Sequence, residues 1–133
     1  MIRSKLALLF LSIIFLSSAC QKEDTCVADD LASAIIGTWT VTGDKAGTAT
    51  FMEDGTLIDD NSSLHGLFTD ENGLTIEGPF TYRIPDNASL EIDKIEADGT
   101  AFPSTKFDIV EFDCEEIKMT FFFYGGEIRL QKE

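Results

Sequence analysis

Phe80-Thr81-Tyr82-Arg83-Ile84-Pro85-Asp86-Asn87-Ala88-Ser89-Leu90-Glu91-Ile92 is the stretch on which the fold turns. Apolar Phe80, Tyr82 and Ile84 alternate with Thr81 and Arg83, and beyond Pro85-Asp86-Asn87 the alternation resumes as Leu90, Glu91 and Ile92. A period of two sends successive side chains to opposite faces, so each run reads as a strand with one buried and one wet face. Proline presets φ and Asp-Asn tolerates tight reversal, so the triplet between the runs reads as a hairpin turn.

The same rhythm continues in both directions. Candidate strands are Ile36 to Thr42, Thr48 to Glu53, Thr56 to Asp60, Leu64 to Thr69, Leu74 to Glu77, Phe80 to Ile84, Ser89 to Ile95, Lys106 to Phe112, Ile117 to Tyr124 and Glu127 to Gln131. Asp54-Gly55, Asn72-Gly73, Asp98-Gly99 and Gly125-Gly126 separate them, dipeptides suited to positive φ and reversal. Phe107 and Ile109, then Ile117, Met119, Phe121 and Phe123, then Ile128 and Leu130 keep one apolar phase. The expected fold is all-β: a small up-and-down antiparallel barrel, whose closure removes the sheet edges. A short helical turn over Asp29 to Ile36, capped by Asp29 or Asp30, is expected to precede it.

With 133 residues and 44% hydrophobic content, one domain is expected, here 29–133. The 24 acidic against 10 basic residues give a net charge of −14, which repels nucleic acid and anionic lipid headgroups alike.

The first nineteen residues differ in kind. Arg3 and Lys5 flank an apolar run from Leu6 to Leu16 that is too short to span a bilayer, the pattern of an export signal over 1–19. Ser17, Ser18, Ala19 and Cys20 follow, and they resemble the lipobox of bacterial lipoproteins, although Leu16 stands four residues before the cysteine where that pattern has its leucine three before. The resemblance implies cleavage before Cys20, acylation of that residue by palmitate-type chains, and attachment to the outer membrane through the lipid alone. The alternative is an ordinary secretory signal followed by an unrelated cysteine. Gln21, Lys22, Glu23 and Asp24 resemble the surface-export signal of Bacteroidetes lipoproteins, which implies the cell surface; a plain polar tether over 20–28, leaving the protein on the periplasmic face, is the alternative.

With Cys20 acylated, Cys26 and Cys114 remain, and an even remainder in an exported chain suggests one disulfide between them. Two cysteines without a clustered histidine fall short of a structural zinc site, so no metal is expected.

Ile35-Ile36-Gly37-Thr38-Trp39-Thr40-Val41, followed by Thr50-Phe51-Met52-Glu53-Asp54-Gly55-Thr56-Leu57, resembles the opening of the small lipocalin-like domains of Bacteroidetes lipoproteins, with Gly37-Thr38-Trp39 matching the Gly-x-Trp of the lipocalin first strand. The likeness extends loosely over 31–133, without the second lipocalin motif Thr-Asp-Tyr. It implies a tryptophan plugging the closed barrel end and a basic residue of the last strand packed over it. Arg129 is the candidate, although alternation turns it away from Ile128 and Leu130.

Little in the chain suggests catalysis. His65 is the sole histidine and reads as a surface residue, and the acid pairs Asp29-Asp30, Asp59-Asp60 and Glu115-Glu116 are expected by chance among so many carboxylates. Lys94 occupies the position where a calcium loop ending at Asp98-Gly99 would need its first acidic ligand. Alternation puts Phe122 and Tyr124 on the outer face, where the Asp29 to Ile36 turn would cover them or a partner would dock. Trp39, Phe51, Phe80, Tyr82, Phe107, Met119 and Phe121 share the inner face and either line an apolar pocket or simply fill the core. The expected function is noncatalytic and needs no cofactor: an anchored barrel that binds a small apolar ligand, with Tyr82 as polar anchor, or, alternatively, a protein-interaction module at the cell surface.

Overall fold

The computed structural model describes residues 26–64, 72–74, 76–96, 98–121 and 125–133. A short helix α1 (Leu31–Ala34) leads into β1 (Gly37–Thr42), β2 (Gly47–Phe51), β3 (Thr56–Asp59), β4 (Phe80–Asp86), β5 (Ser89–Asp93), β6 (Thr105–Phe112), β7 (Glu116–Phe121) and β8 (Glu127–Lys132). Each strand pairs antiparallel with the next, and β1 pairs with β8, from Trp39 opposite Lys132 to Thr42 opposite Arg129. The all-β, closed up-and-down barrel expected from the alternation is the observed fold.

The inward phase forms one core. Trp39, Phe51, Leu57, Phe80, Leu90, Ile92, Phe107, Ile117, Met119 and Leu130 are at most 1% exposed and belong to a single cluster. The outward phase is charged, with Arg83 lying 2.6 Å from Glu91 and 3.4 Å from Asp93 across the β4–β5 hairpin. An outer face of this kind is the reverse of the apolar band that a membrane-inserted barrel needs. No described helix is long and apolar enough to cross a membrane. Bulges fall in β4–β5 between Arg83 and Asp86, where Pro85 has no N–H to donate, and in β6–β7 between Ile109 and Glu111; both sharpen the curl of the sheet.

Two of the ten candidate strands have no counterpart among the described residues. Leu64 and the described residues of 74–77 join no ladder, and the rest of both segments lies outside the described residues. Side chains take the backbone groups instead. The Asp59 carboxylate accepts from the N–H of Ser63 and of Leu64, each at 2.8 Å, and the Ser62 hydroxyl donates to the carbonyl of Ile76.

The two barrel ends differ. At one lie α1, the start of β1, the end of β8 and the short turns 52–55, 87–88 and 113–115; the longer connections 60–79 and 94–104 leave from the other. Leu31 and Ile35, fully buried, carry α1 into the core at the short-turn end. Neither expected cap holds the helix: Asp30 sits at the N-cap without a side-chain bond, and Asn87 of the β4–β5 turn acts in its place. Its Oδ1 accepts from the Leu31 N–H at 3.1 Å and its Nδ2 donates to the Asp29 carbonyl at 3.0 Å. Having packed into this end of the barrel, α1 is part of the core. Phe122 and Tyr124, which it was expected to cover, lie outside the described residues.

Trp39 donates from Nε1 to the Ile35 carbonyl at 2.7 Å, so the plug and the first strand are one unit. Arg129, expected over the tryptophan, pairs instead with Glu127 at 2.6 Å on the outer face. Lys132, which shares the inward phase of Leu130, takes that place with its ammonium 4.6 Å from the indole centre.

Candidate functional site

Of the seven inner-face residues, Trp39, Phe51, Phe80, Phe107 and Met119 are buried in one packed cluster, with Tyr82 and Phe121 half-buried against it. Phe51 meets Tyr82 edge-on at 5.0 Å between ring centres, and Phe107 meets Phe121 at 5.6 Å. The Tyr82 hydroxyl donates to the Met52 carbonyl at 2.6 Å, an internal partner in the 52–55 turn region. Burial, followed by the nearby Asp54 and Glu53 charges, raises the Tyr82 pKa, so the phenol keeps its proton and remains a donor.

The described recesses open toward the end with the long connections. One of about 660 Å³ lies between β3 and residues 77–79, lined by Lys45, Ile58, Asp59, Asn61, Glu77 and Pro79 among others. It exists because β3 pairs with β4 only at Thr56–Thr81 and Leu57–Phe80, after which the strands part. Asp59 is buried, and besides the two N–H donors it accepts from the Ser63 hydroxyl at 2.7 Å, so its carboxylate holds the loop. A smaller recess of about 260 Å³ lies against Thr56, Pro79, Phe80, Thr81 and Ile95, bringing one of the seven inner residues, Phe80, to a concave surface.

Beyond β5 the chain forms a tight reversal. Ile95 bridges Ala101, the Phe102 N–H donates to the Lys94 carbonyl at 3.0 Å, and the turn closes at Gly99 with φ of 87°. Lys94 continues the inward phase of Leu90 and Ile92, and its side chain is 7% exposed. The hairpin fixes the base of that side chain, and its outward neighbour Ile95 lines the smaller recess.

At the other end, Cys26 and Cys114 are joined in a disulfide with Cα atoms 6.0 Å apart, the pairing expected from the cysteine count. It ties the chain just before α1 to the β6–β7 turn. Within that turn the Asp113 carboxylate accepts from the N–H groups of Glu115 and Glu116 at 2.7 and 2.8 Å, and these bonds hold its pKa below the usual aspartate value.

Several sequence-derived candidates lie outside the described residues: the signal segment 1–19, Cys20, the Gln21-Lys22-Glu23-Asp24 run and His65. Among the described residues no group of three or more histidine, cysteine or carboxylate side chains is arranged to hold a metal ion. Sequence reasoning missed Asn87, Lys132, Asp59 and Lys94. For the two lysines the signal was present as strand phase; for Asn87 and Asp59 the partners are set by loop conformation. Comparison of the chain with protein-family models, with curated proteins and with solved structures finds no match.

Proposed function

We propose that this chain is a lipocalin-like lipoprotein of the outer membrane, anchored through Cys20, that works without catalysis by binding at the end of the barrel that carries its long connections. The observation that carries the reading is the Cys26–Cys114 disulfide at the opposite, α1-plugged end. From Cys20 to Cys26 an extended chain spans about 20 Å at most. An acyl anchor on Cys20 therefore keeps the plugged end near the bilayer and turns the recesses outward, toward whatever the protein meets.

The ligand class is small and apolar in part. The plugged end is occupied by Trp39, Leu31 and Ile35, whereas Phe80 borders a recess, so a ligand is received beside Phe80 rather than against the tryptophan. The outward-facing Ile58 and Ile95, 47% and 63% exposed, favour the second reading, a protein-interaction module using the same end.

Expression with labelled palmitate tests the anchor: the native chain takes up label and fractionates with outer membrane, while Cys20→Ser loses both. Label on the Cys20→Ser chain, or a native chain that fractionates as soluble, overturns the reading. Protease treatment of intact cells then separates the surface from the periplasmic face.

A further inference from the structure

The seam between β3 and β4 is the shortest join in the barrel. These strands meet only at Thr56–Thr81 and Leu57–Phe80, whereas every other neighbouring pair keeps at least three residues in register. The β2 ladder nevertheless carries the chain further, because the Asp60 N–H donates to the Thr48 carbonyl at 3.2 Å. One side of β3 thus runs on without a strand beside it, and the recess of about 660 Å³ fills the gap. Ladder phase sets a main-chain donor there. The Tyr82 N–H donates to the Gly55 carbonyl, so Gly55, Leu57 and Asp59 turn their backbone groups toward β4, and Ile58 and Asp60 turn theirs toward β2. The Asp59 carbonyl accepts from the Ser62 N–H at 3.1 Å, while its own N–H faces the gap beyond the last β4 pair.

The wall of the recess is fixed from within. The Asp59 carboxylate holds the Ser63 and Leu64 N–H groups, and the Ser62 hydroxyl bonds the Ile76 carbonyl. Ser62 sits at φ of 48°, a strained setting that persists only where its surroundings over-determine it. With Asp59 committed to the loop, Asp60 on the β3 side and Glu77 on the other are the exposed carboxylates of the recess, against one lysine, Lys45. Its apolar members are Ile58, 47% exposed, and Pro79, which also lines the smaller recess beside Ile95. Ile58 and Asp60 stand two positions apart and are both exposed, as the period of a strand requires.

We infer that the open side of β3 receives an extended segment of a basic partner protein. An apolar side chain of that segment lies on Ile58 and Pro79, and an arginine or lysine two residues away lies between Asp60 and Glu77. The Asp59 N–H meets one of its main-chain carbonyls, as in strand addition to a sheet edge. Charge selects the partner: an acidic segment would meet Asp60 and Glu77 on a protein of net charge −14. The inference deepens the interaction-module reading given above by naming the partner's chemistry, and it rests on that reading but not on the anchor.

Fluorescence anisotropy with labelled peptides tests it. The probe is Ser-Arg-Thr-Val-Thr-Arg-Ser, whose two arginines suit either chain direction. One comparator carries glutamine for both arginines, and the other carries glycine for the valine. The probe binds at least about tenfold more tightly than either comparator, as charge-assisted bonds and apolar burial together imply. Asp60→Asn with Glu77→Gln lowers its affinity about tenfold, whereas Asp29→Asn with Glu115→Gln, the same loss of charge at the plugged end, leaves it unchanged. No binding of the probe, equal binding of either comparator, or an equal loss in the two double variants overturns the inference. A preference for valine without one for arginine overturns the basic partner and leaves an interaction surface at this end standing. Should the Asp60 and Glu77 substitutions fold poorly, the Asp59 amide of the native protein decides: its resonance moves with the probe and not with the glutamine peptide, and an unmoved resonance overturns the assignment. The Cys20→Ser labelling experiment judges the anchored-lipoprotein reading separately.

Discussion

Lys132 lies directly opposite Trp39 across the seam between the last and first strands, its ammonium 4.6 Å from the indole centre and bonded to the Ile36 carbonyl. One side chain thereby caps the plug, covers the tryptophan and clasps the two strands that close the barrel. It reaches there across Gly37, whose φ of 126° suits no L side chain and whose added Cβ would stand 2.9 Å from the lysine Cε and Nζ. The glycine and the tryptophan of the Gly37-Thr38-Trp39 motif are therefore coupled through a third residue, 95 positions further along the chain.

Gly37→Ala strains the backbone and displaces Lys132 together, so a loss of roughly 1 to 3 kcal/mol is expected in chemical denaturation. A variant as stable as the parent would contradict the role assigned to the glycine.

Lys132→Met keeps the stem and removes the charge. About 1 kcal/mol of stability is expected to go with the cation–π contact, with a shift in the emission of the single tryptophan. Arg129→Met, on the outer face, leaves that emission unchanged; the opposite pattern would return the role to Arg129.

The Cys26–Cys114 bond closes a loop with a sequence separation of 88, so its reduction relaxes a long constraint on the unfolded chain. In the chain-entropy model this costs roughly 4 to 5 kcal/mol. The measurement is the denaturation midpoint with and without reductant, and an unchanged midpoint would mean that the staple contributes nothing.

Asp113 has its folded pKa lowered by the N–H groups of Glu115 and Glu116. A depressed carboxyl pKa stabilises the fold above the unfolded value and stops doing so as the pH falls through the folded one. Asp113→Ala is thus expected to melt below the parent near neutral pH and to converge with it in strong acid. An equal deficit at both extremes would show that the turn owes nothing to the ionised carboxylate.

The alternation in 80–92 was enough to find β4, β5 and their turn, because strand phase is local and Tyr82 meets Ile92 across the hairpin. Leu74 to Glu77 has strand-like composition too, yet Ile76 is held by the Ser62 hydroxyl, a contact set by how the loop folds back. Asn87 clamping α1 spans 56 residues of sequence and left no pattern to read. The site residues divide along the same line. Lys94 is in phase with Leu90 and Ile92, so its inward direction was readable, but its placement near Glu96 and Phe80 depends on how the 94–102 hairpin folds. Lys132 likewise shows its phase with Leu130, while its pairing with Trp39 depends on closure, a property of the whole sheet.

Closure is the claim on which the plug, the two unlike ends and the outward recesses all depend, and proton NMR of the β1–β8 seam tests it most directly. Backbone contacts between Thr40 and Gln131 and between Val41 and Leu130 are expected, together with slow exchange of the Glu133 amide, which donates to the Thr38 carbonyl at 3.1 Å. Their absence, with the β1–β2 and β7–β8 contacts intact, would mean an open sheet and would contradict the account.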